Sequence, residues 1–216
     1  DMRNKKFASN VHREKNFNVL KTVGIYGPNN AGKTCLVKCI RAIKQILLNK
    51  EKSLMPNIFS KNPVCELGVT FLADGKKYAY DFMYDAKKEE FIYEKFVDIT
   101  KDQYGNEKEI IWLLSDSRKE EYYCVDEEMI QMISMVSRNS LLCYMVDASK
   151  FKHIAEMRKI VSGFAEKIDL INMNNIPMKK TVELMKNQNQ WQQKVVEFRK
   201  NADLYMENFE YVDMDK

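Results

Sequence analysis

Hydrophobic positions change rhythm twice along this chain. Residues 16–26 predict a strand that feeds a glycine-rich loop. Leu36, Ile40, Ile43 and Leu47 then recur at helical spacing with lysines between them, predicting a helix over 33–48. The polar stretch NKEKSLMPN, residues 49–57, ends that pattern. From residue 64 to 125 the period shortens to two. Leu67, Val69 and Phe71 alternate, Asp74-Gly75 supplies a hairpin turn, and Tyr78, Tyr80, Phe82 and Tyr84 alternate on the return. FIYEKFVDI, EIIWLL and EEYYCV add further strands, separated by TKDQYGNEK and SDSR. The prediction is an antiparallel meander of about five strands, not a run of βαβ units.

Asp126 is placed to cap a new helical region, with Met129, Ile133 and Val136 on one face. Phe151, Ile154, Met157, Ile160, Val161 and Phe164 define a second apolar face. INMNNIP marks a turn, residues 178–201 a long polar helix, and LYMENFEYVDM the start of a strand. The expected organisation is a strand–loop–helix unit over 1–60, an antiparallel β lobe over 61–125, and a helical region ending in a strand over 126–216.

Composition narrows the class. With 216 residues, 45% hydrophobic and 31% charged, the chain can bury a sizeable core. A net charge of +4 is small against 35 basic and 31 acidic residues, so charge alone implies no nucleic-acid surface. No apolar run approaches the roughly 18 to 20 residues needed to span a bilayer, and the first stretch is polar rather than leader-like. Cys35, Cys39, Cys65, Cys124 and Cys143 contain no C-x-x-C pair, and His12 and His153 cannot complete a zinc cluster at familiar spacing. Buried, reduced thiols in a cytoplasmic protein are the expectation.

The specific chemistry lies in one loop. Gly27, Pro28, Asn29, Asn30, Ala31, Gly32, Lys33 and Thr34 fit G-x-x-x-x-G-K-[ST] without mismatch. Small residues let successive backbone N–H groups curl around a phosphate, and the helix N-terminus favours the anion. Lys33 is placed to reach the β- and γ-phosphates, and the Thr34 hydroxyl to ligate Mg²⁺. The pattern arises by chance about once in a hundred chains of this length, and here it has a strand before it and a helix after. ATP and Mg²⁺ are the expected cofactors. A guanine-reading N-K-x-D segment is absent, and Asp102-Gln103-Tyr104-Gly105, a D-x-x-G match, lies in a hairpin loop and reads as a turn.

IYGPNNAGKT, LGVTFLADGKKYAYDFMYD and FIYEKFVDI resemble the N-terminal part of the bacterial ATPases related to the OLD (overcoming lysogenization defect) and abortive-infection proteins. SRNSLLCYMVDASKFKHIAEM and FRKNADLYMENFEYV resemble that family's middle region. The resemblance implies an α/β P-loop NTPase fold of the ATP-binding-cassette type, similar to the heads of SMC and DNA-repair ATPases, with a β-rich lobe and a helical region. It also implies ATP hydrolysis coupled to pairing of two heads as a homodimer, in anti-phage defence or DNA maintenance. An effector nuclease or other partner protein, and DNA by analogy, are the implied partners.

Such a head needs a Walker B acid, a following glutamate and a serine-glycine signature. LLCYMVDA, residues 141–148, supplies Asp147 as the acid, but Ala148 stands where the glutamate belongs and the same spacing suits a helix capped at Ser140. Ser162-Gly163 is the only Ser-Gly pair and lies inside an apolar-periodic helix. Glu127-Glu128 fits the charge preference of a helix start, and His153 reads as a packing or surface residue. Tyrosines between Tyr78 and Tyr123 have lysines nearby, a composition that can stack on single-stranded nucleic acid or simply fill a strand face. The expectation is an incomplete head, opening at DMRNKKFASN and stopping at YVDMDK, that binds ATP and leaves turnover to the full-length protein. A nucleotide-responsive interaction module without turnover is the second reading, and a P-loop small-molecule kinase the third.

Overall fold

A computed structural model describes residues 5–13, 17–50, 54–56, 61–145 and 150–171. The chain divides into two compact units, Asp1–Asp169 and Leu170–Lys216. All the elements below belong to the first. The predicted helix over 178–201 and the strand after it lie outside the described residues.

The period-two region forms the largest element of the fold, a mixed α/β arrangement built on one antiparallel sheet. After the hairpin β1 (Val11–Arg13) and β2 (Asn18–Leu20) comes helix α1 (Lys33–Leu47). Five strands then pair in chain order: β3 (Val64–Ala73), β4 (Lys76–Asp85), β5 (Glu90–Lys101), β6 (Glu107–Asp116) and β7 (Glu121–Cys124). Asp74 (φ 50°) and Gly75 (φ 75°) are both left-handed, the backbone that a two-residue turn of primed type requires between right-twisted strands. Asp102 closes the β5–β6 loop by accepting hydrogen bonds from the Tyr104 and Asn106 N–H groups at 2.8 and 2.9 Å, so the D-x-x-G match is a turn.

Alternation turns Phe71, Tyr78, Tyr80, Phe82, Phe96 and Leu113 to one face, where they are buried. Helices α2 (Glu128–Ile133), α3 (Leu142–Met145) and α4 (Lys152–Glu166) contribute Met129, Ile133, Leu142, Ile154, Met157 and Val161 to the same core. Aromatic pairs knit it, with Phe71 stacked on Phe164 at 4.1 Å and Tyr80 edge-on to Phe96 at 5.4 Å. Such pairs add about 0.5–1.5 kcal/mol each beyond their buried area.

Two bulges break the alternation. On β6 the register passes from Leu113 to Ile111 across Trp112, and on β5 from Tyr93 to Phe91 across Ile92. The first lets Trp112 join Leu113 on the helical side, where its ring lies edge-on to Tyr78, Phe96 and His153.

Asp126 caps a helix other than its own. Its carboxylate accepts hydrogen bonds from the backbone N–H groups of His153 and Ile154, both at 3.1 Å, and lies 2.7 Å from His153 Nδ1. It therefore satisfies the first turn of α4, whose N-cap residue Phe151 has no side-chain cap of its own.

Candidate functional site

Helix α1 carries the loop at one end and is anchored at the other. At its C-terminus Asn49 is left-handed (φ 51°), and the Asn49 and Lys50 N–H groups donate back to Ile46 and Gln45 carbonyls at 2.9 and 2.8 Å. This is a Schellman closure, with asparagine where glycine is commonest. The Tyr144 hydroxyl donates to the Leu47 carbonyl at 2.5 Å, and Lys44 Nζ to the Ile168 carbonyl at 2.5 Å. Ile46 and Leu47 are buried.

The front of the helix is different. Leu36, Val37 and Ile40 are exposed, as are Val23 and Ile25 ahead of the loop. The strand expected over 16–26 is short: only Asn18–Leu20 is extended and paired, antiparallel to β1, and residues 22–28 have no regular structure. A lone segment holds a strand only by hydrogen bonding to neighbours; the Asn10 side chain bonds the Thr22 N–H and C=O, both at 2.8 Å, and no strand among the described residues pairs with 23–26. Cys35 and Cys39 are exposed on this front, contrary to the expectation of buried thiols, whereas Cys124 and Cys143 are buried.

Residues Gly27–Thr34 form a turn that rises into the helix. Asn30 (φ 66°) and Gly32 (φ 84°) are left-handed. A Cβ on Gly32 would meet nothing within 4 Å, so it is the backbone angle, not crowding, that favours glycine. Lys33 folds back over the turn, its ammonium donating to the Gly27 and Pro28 carbonyls at 2.7 and 2.6 Å. The loop thus encloses its own cation beside the free N–H groups of a 15-residue helix, a donor set that fits a phosphate. Thr34 sits in the first helical turn and is exposed. Among the described residues no cluster of three or more His, Cys, Asp or Glu could hold a metal.

The remaining candidates do not gather here. Asp147 lies outside the described residues. Ser162 and Gly163 are interior to α4, with the Ser162 hydroxyl on the Lys159 carbonyl at 3.4 Å. Among the described residues no carboxylate is bonded to Lys33 or Thr34. Tyr78, Tyr80 and Tyr84 are buried in the core and offer no stacking surface, while Tyr104 and Tyr123 are exposed. A cleft of about 350 Å³ does bring Lys77 and Lys101 to one ring: both ammonium groups lie 5.5 Å from the centroid of Phe17, and Lys77 also pairs with Glu107 at 2.6 Å.

One polar cluster is not visible in the strand pattern. Glu94 of β5 is only 2% exposed, faces the aromatic core, and accepts a hydrogen bond from the Tyr80 hydroxyl. Burial pushes its carboxyl up to about 7, against the opposing pull of Tyr80, the Leu142 N–H and Arg138. Its cross-strand neighbour Ser115 has a buried hydroxyl without a hydrogen-bond partner among the described residues. The bulge at Ile92 shifts the strand's parity, so Glu94 could not be assigned to the inner face from spacing alone.

Compared with known proteins, the chain matches no family model, no curated protein and no solved structure. Among the described residues no helix is long and apolar enough to cross a membrane.

Proposed function

We propose that this chain binds ATP with Mg²⁺ on Gly27–Thr34 and is part of an ATP-binding-cassette-type head of the P-loop NTPase class. The observation that carries the reading is the Lys33 ammonium lying across a left-handed turn at the N-terminus of α1. On binding, Lys33 exchanges the Gly27 and Pro28 carbonyls for phosphate oxygens, the backbone N–H groups of the turn and first helical residues surround the anion, and the Thr34 hydroxyl faces the cation. Mg²⁺ supplies charge neutralisation between phosphates. The exposed apolar front of α1 and of residues 23–25 supports the same reading, because a P-loop strand and its helix bury such faces among parallel neighbours.

The OLD-like resemblance couples such binding to hydrolysis and to pairing of two heads, in an anti-phage or DNA-maintenance setting. The deciding experiment is calorimetric titration with ATP and Mg²⁺, on the chain and on Lys33→Ala. Lys33-dependent binding supports the reading, and equal binding by both proteins overturns it.

A second reading, a nucleotide-responsive interaction module without turnover, predicts the same Lys33-dependent binding. Steady-state phosphate release separates the two. Lys33-dependent turnover by this chain excludes the module.

A further inference from the structure

The cleft beside Phe17 lies on the face of the sheet turned away from the aromatic core. Register places Leu72 beside Lys77, Lys77 beside Ile99, and Lys101 beside Glu107, so alternation turns these side chains opposite to Phe71 and Tyr78. The same face buries Ala79, Val97 and Ile99, an apolar cluster separate from the main core. Phe17, the residue before β2, lines the cleft, and the Lys77 and Lys101 ammonium groups both lie 5.5 Å from its ring centroid. The volume, about 350 Å³, falls within the range of small-molecule sites.

The charges lining this cleft do not balance. Lys77, whose side chain is only 21% exposed, pairs with Glu107 at 2.6 Å, whereas Lys101 meets no carboxylate among the described residues. Two ammonium groups drawn to one ring repel each other, and the ring face with a single carboxylate offsets only part of that repulsion. An anion held by both groups supplies the missing charge, and the edge of a phenyl ring, unlike its face, is positive. Val19 and Leu72 offer apolar surface in the same cleft, and Asn18 and Thr70 offer hydrogen-bonding side chains. We propose that this cleft binds a small organic anion, a carboxylate or phosphate head on an apolar body. The head lies on Lys77 and Lys101, and the body packs on Val19, Leu72 and Phe17. The site shares no residue with Gly27–Thr34 and stands whether or not the loop takes ATP.

The test is an NMR titration of the whole chain that follows the Val19 and Leu72 methyl groups. The probes are phenyl phosphate, phenylacetate and the neutral benzyl alcohol. Saturable shifts are expected with at least one anion, at an affinity about tenfold or more above that for benzyl alcohol. Binding by phenyl phosphate alone marks a phosphate head, and binding by phenylacetate alone a carboxylate head. Lys101→Ala, at an exposed position where folding is not at stake, should weaken the anion about tenfold. Lys33→Ala should leave the shifts unchanged. No saturable shift with either anion, equal binding of benzyl alcohol, or full affinity in Lys101→Ala overturns the site. Loss of the shifts in Lys33→Ala also overturns it, by assigning the probe to the loop. If ATP fails to bind while Lys101→Ala behaves as stated, the nucleotide reading falls and the cleft stands.

Discussion

The sheet with its covering helices and the loop at the front of α1 are organised on opposite terms. In the first, Tyr80, Phe82, Phe96 and Leu113 reach zero exposure and touch residues far away in the chain. In the second, a left-handed asparagine, a left-handed glycine and a lysine six residues from its acceptor do the work locally, on the surface. One helix joins both regimes, buried at Ile46 and Leu47 and open at Leu36 and Val37. Packing and the proposed nucleotide chemistry thus fall at opposite ends of a single element, and substitutions along it should report which one they touch.

The buried end should be the most sensitive. Leu47→Ala should cost about 2–5 kcal/mol in urea unfolding, because the side chain is fully buried in the core and its removal leaves a cavity. Next comes pH. Glu94 is raised in the folded protein, so its contribution is greatest below pH 4.5, is lost progressively as pH rises toward about 7, and is flat beyond. The span is roughly 3 kcal/mol, at about 1.4 kcal/mol per pH unit. Unfolding curves of Glu94→Gln against wild type, from pH 4 to 8, should diverge in that window. Lys33→Ala comes third, with ATP affinity reduced on the order of 100-fold, about 2.7 kcal/mol, and unfolding unchanged. Asp126→Ala is fourth, costing about 0.5–2 kcal/mol through the first turn of α4. Faster exchange at His153 and Ile154 than at α2 would show that the cap acts across the chain.

Much of the body was legible, for physical reasons that differ by element. Period two placed five strands, since residues Tyr78 to Tyr84 alternate without interruption. The Asp74-Gly75 turn followed from the backbone angles it needs. At Gly27–Thr34 the structure adds a local turn with Asn30 and Gly32 left-handed. Contacts made at long range were not legible. Asp126 looked like the cap of the helix beside it, and only folding brings it to α4. The bulge at Trp112 shows only in the pairing of β6 with β5, as a register shift between Phe96 and Val97. The apolar stripe of α1 spoke of a face, not of how much of that face is covered.

The front of α1 should be the least sensitive part of the helix. Leu36→Ala makes the same chemical change as Leu47→Ala, on the same helix, where the side chain is 43% exposed rather than 0%. If the front of α1 stands free, the cost should stay within about 0.5 kcal/mol, since alanine's better helix propensity offsets the little area lost. A cost of about 2 kcal/mol or more would mean that Leu36 is buried in solution. Unfolding midpoints that rise with protein concentration would then place a second copy against this face. Midpoints that do not would place the cover within the chain. Either outcome would reassign the front of α1 from the exposed regime to the packed one, leaving only the turn at Gly27–Thr34 to carry the contrast.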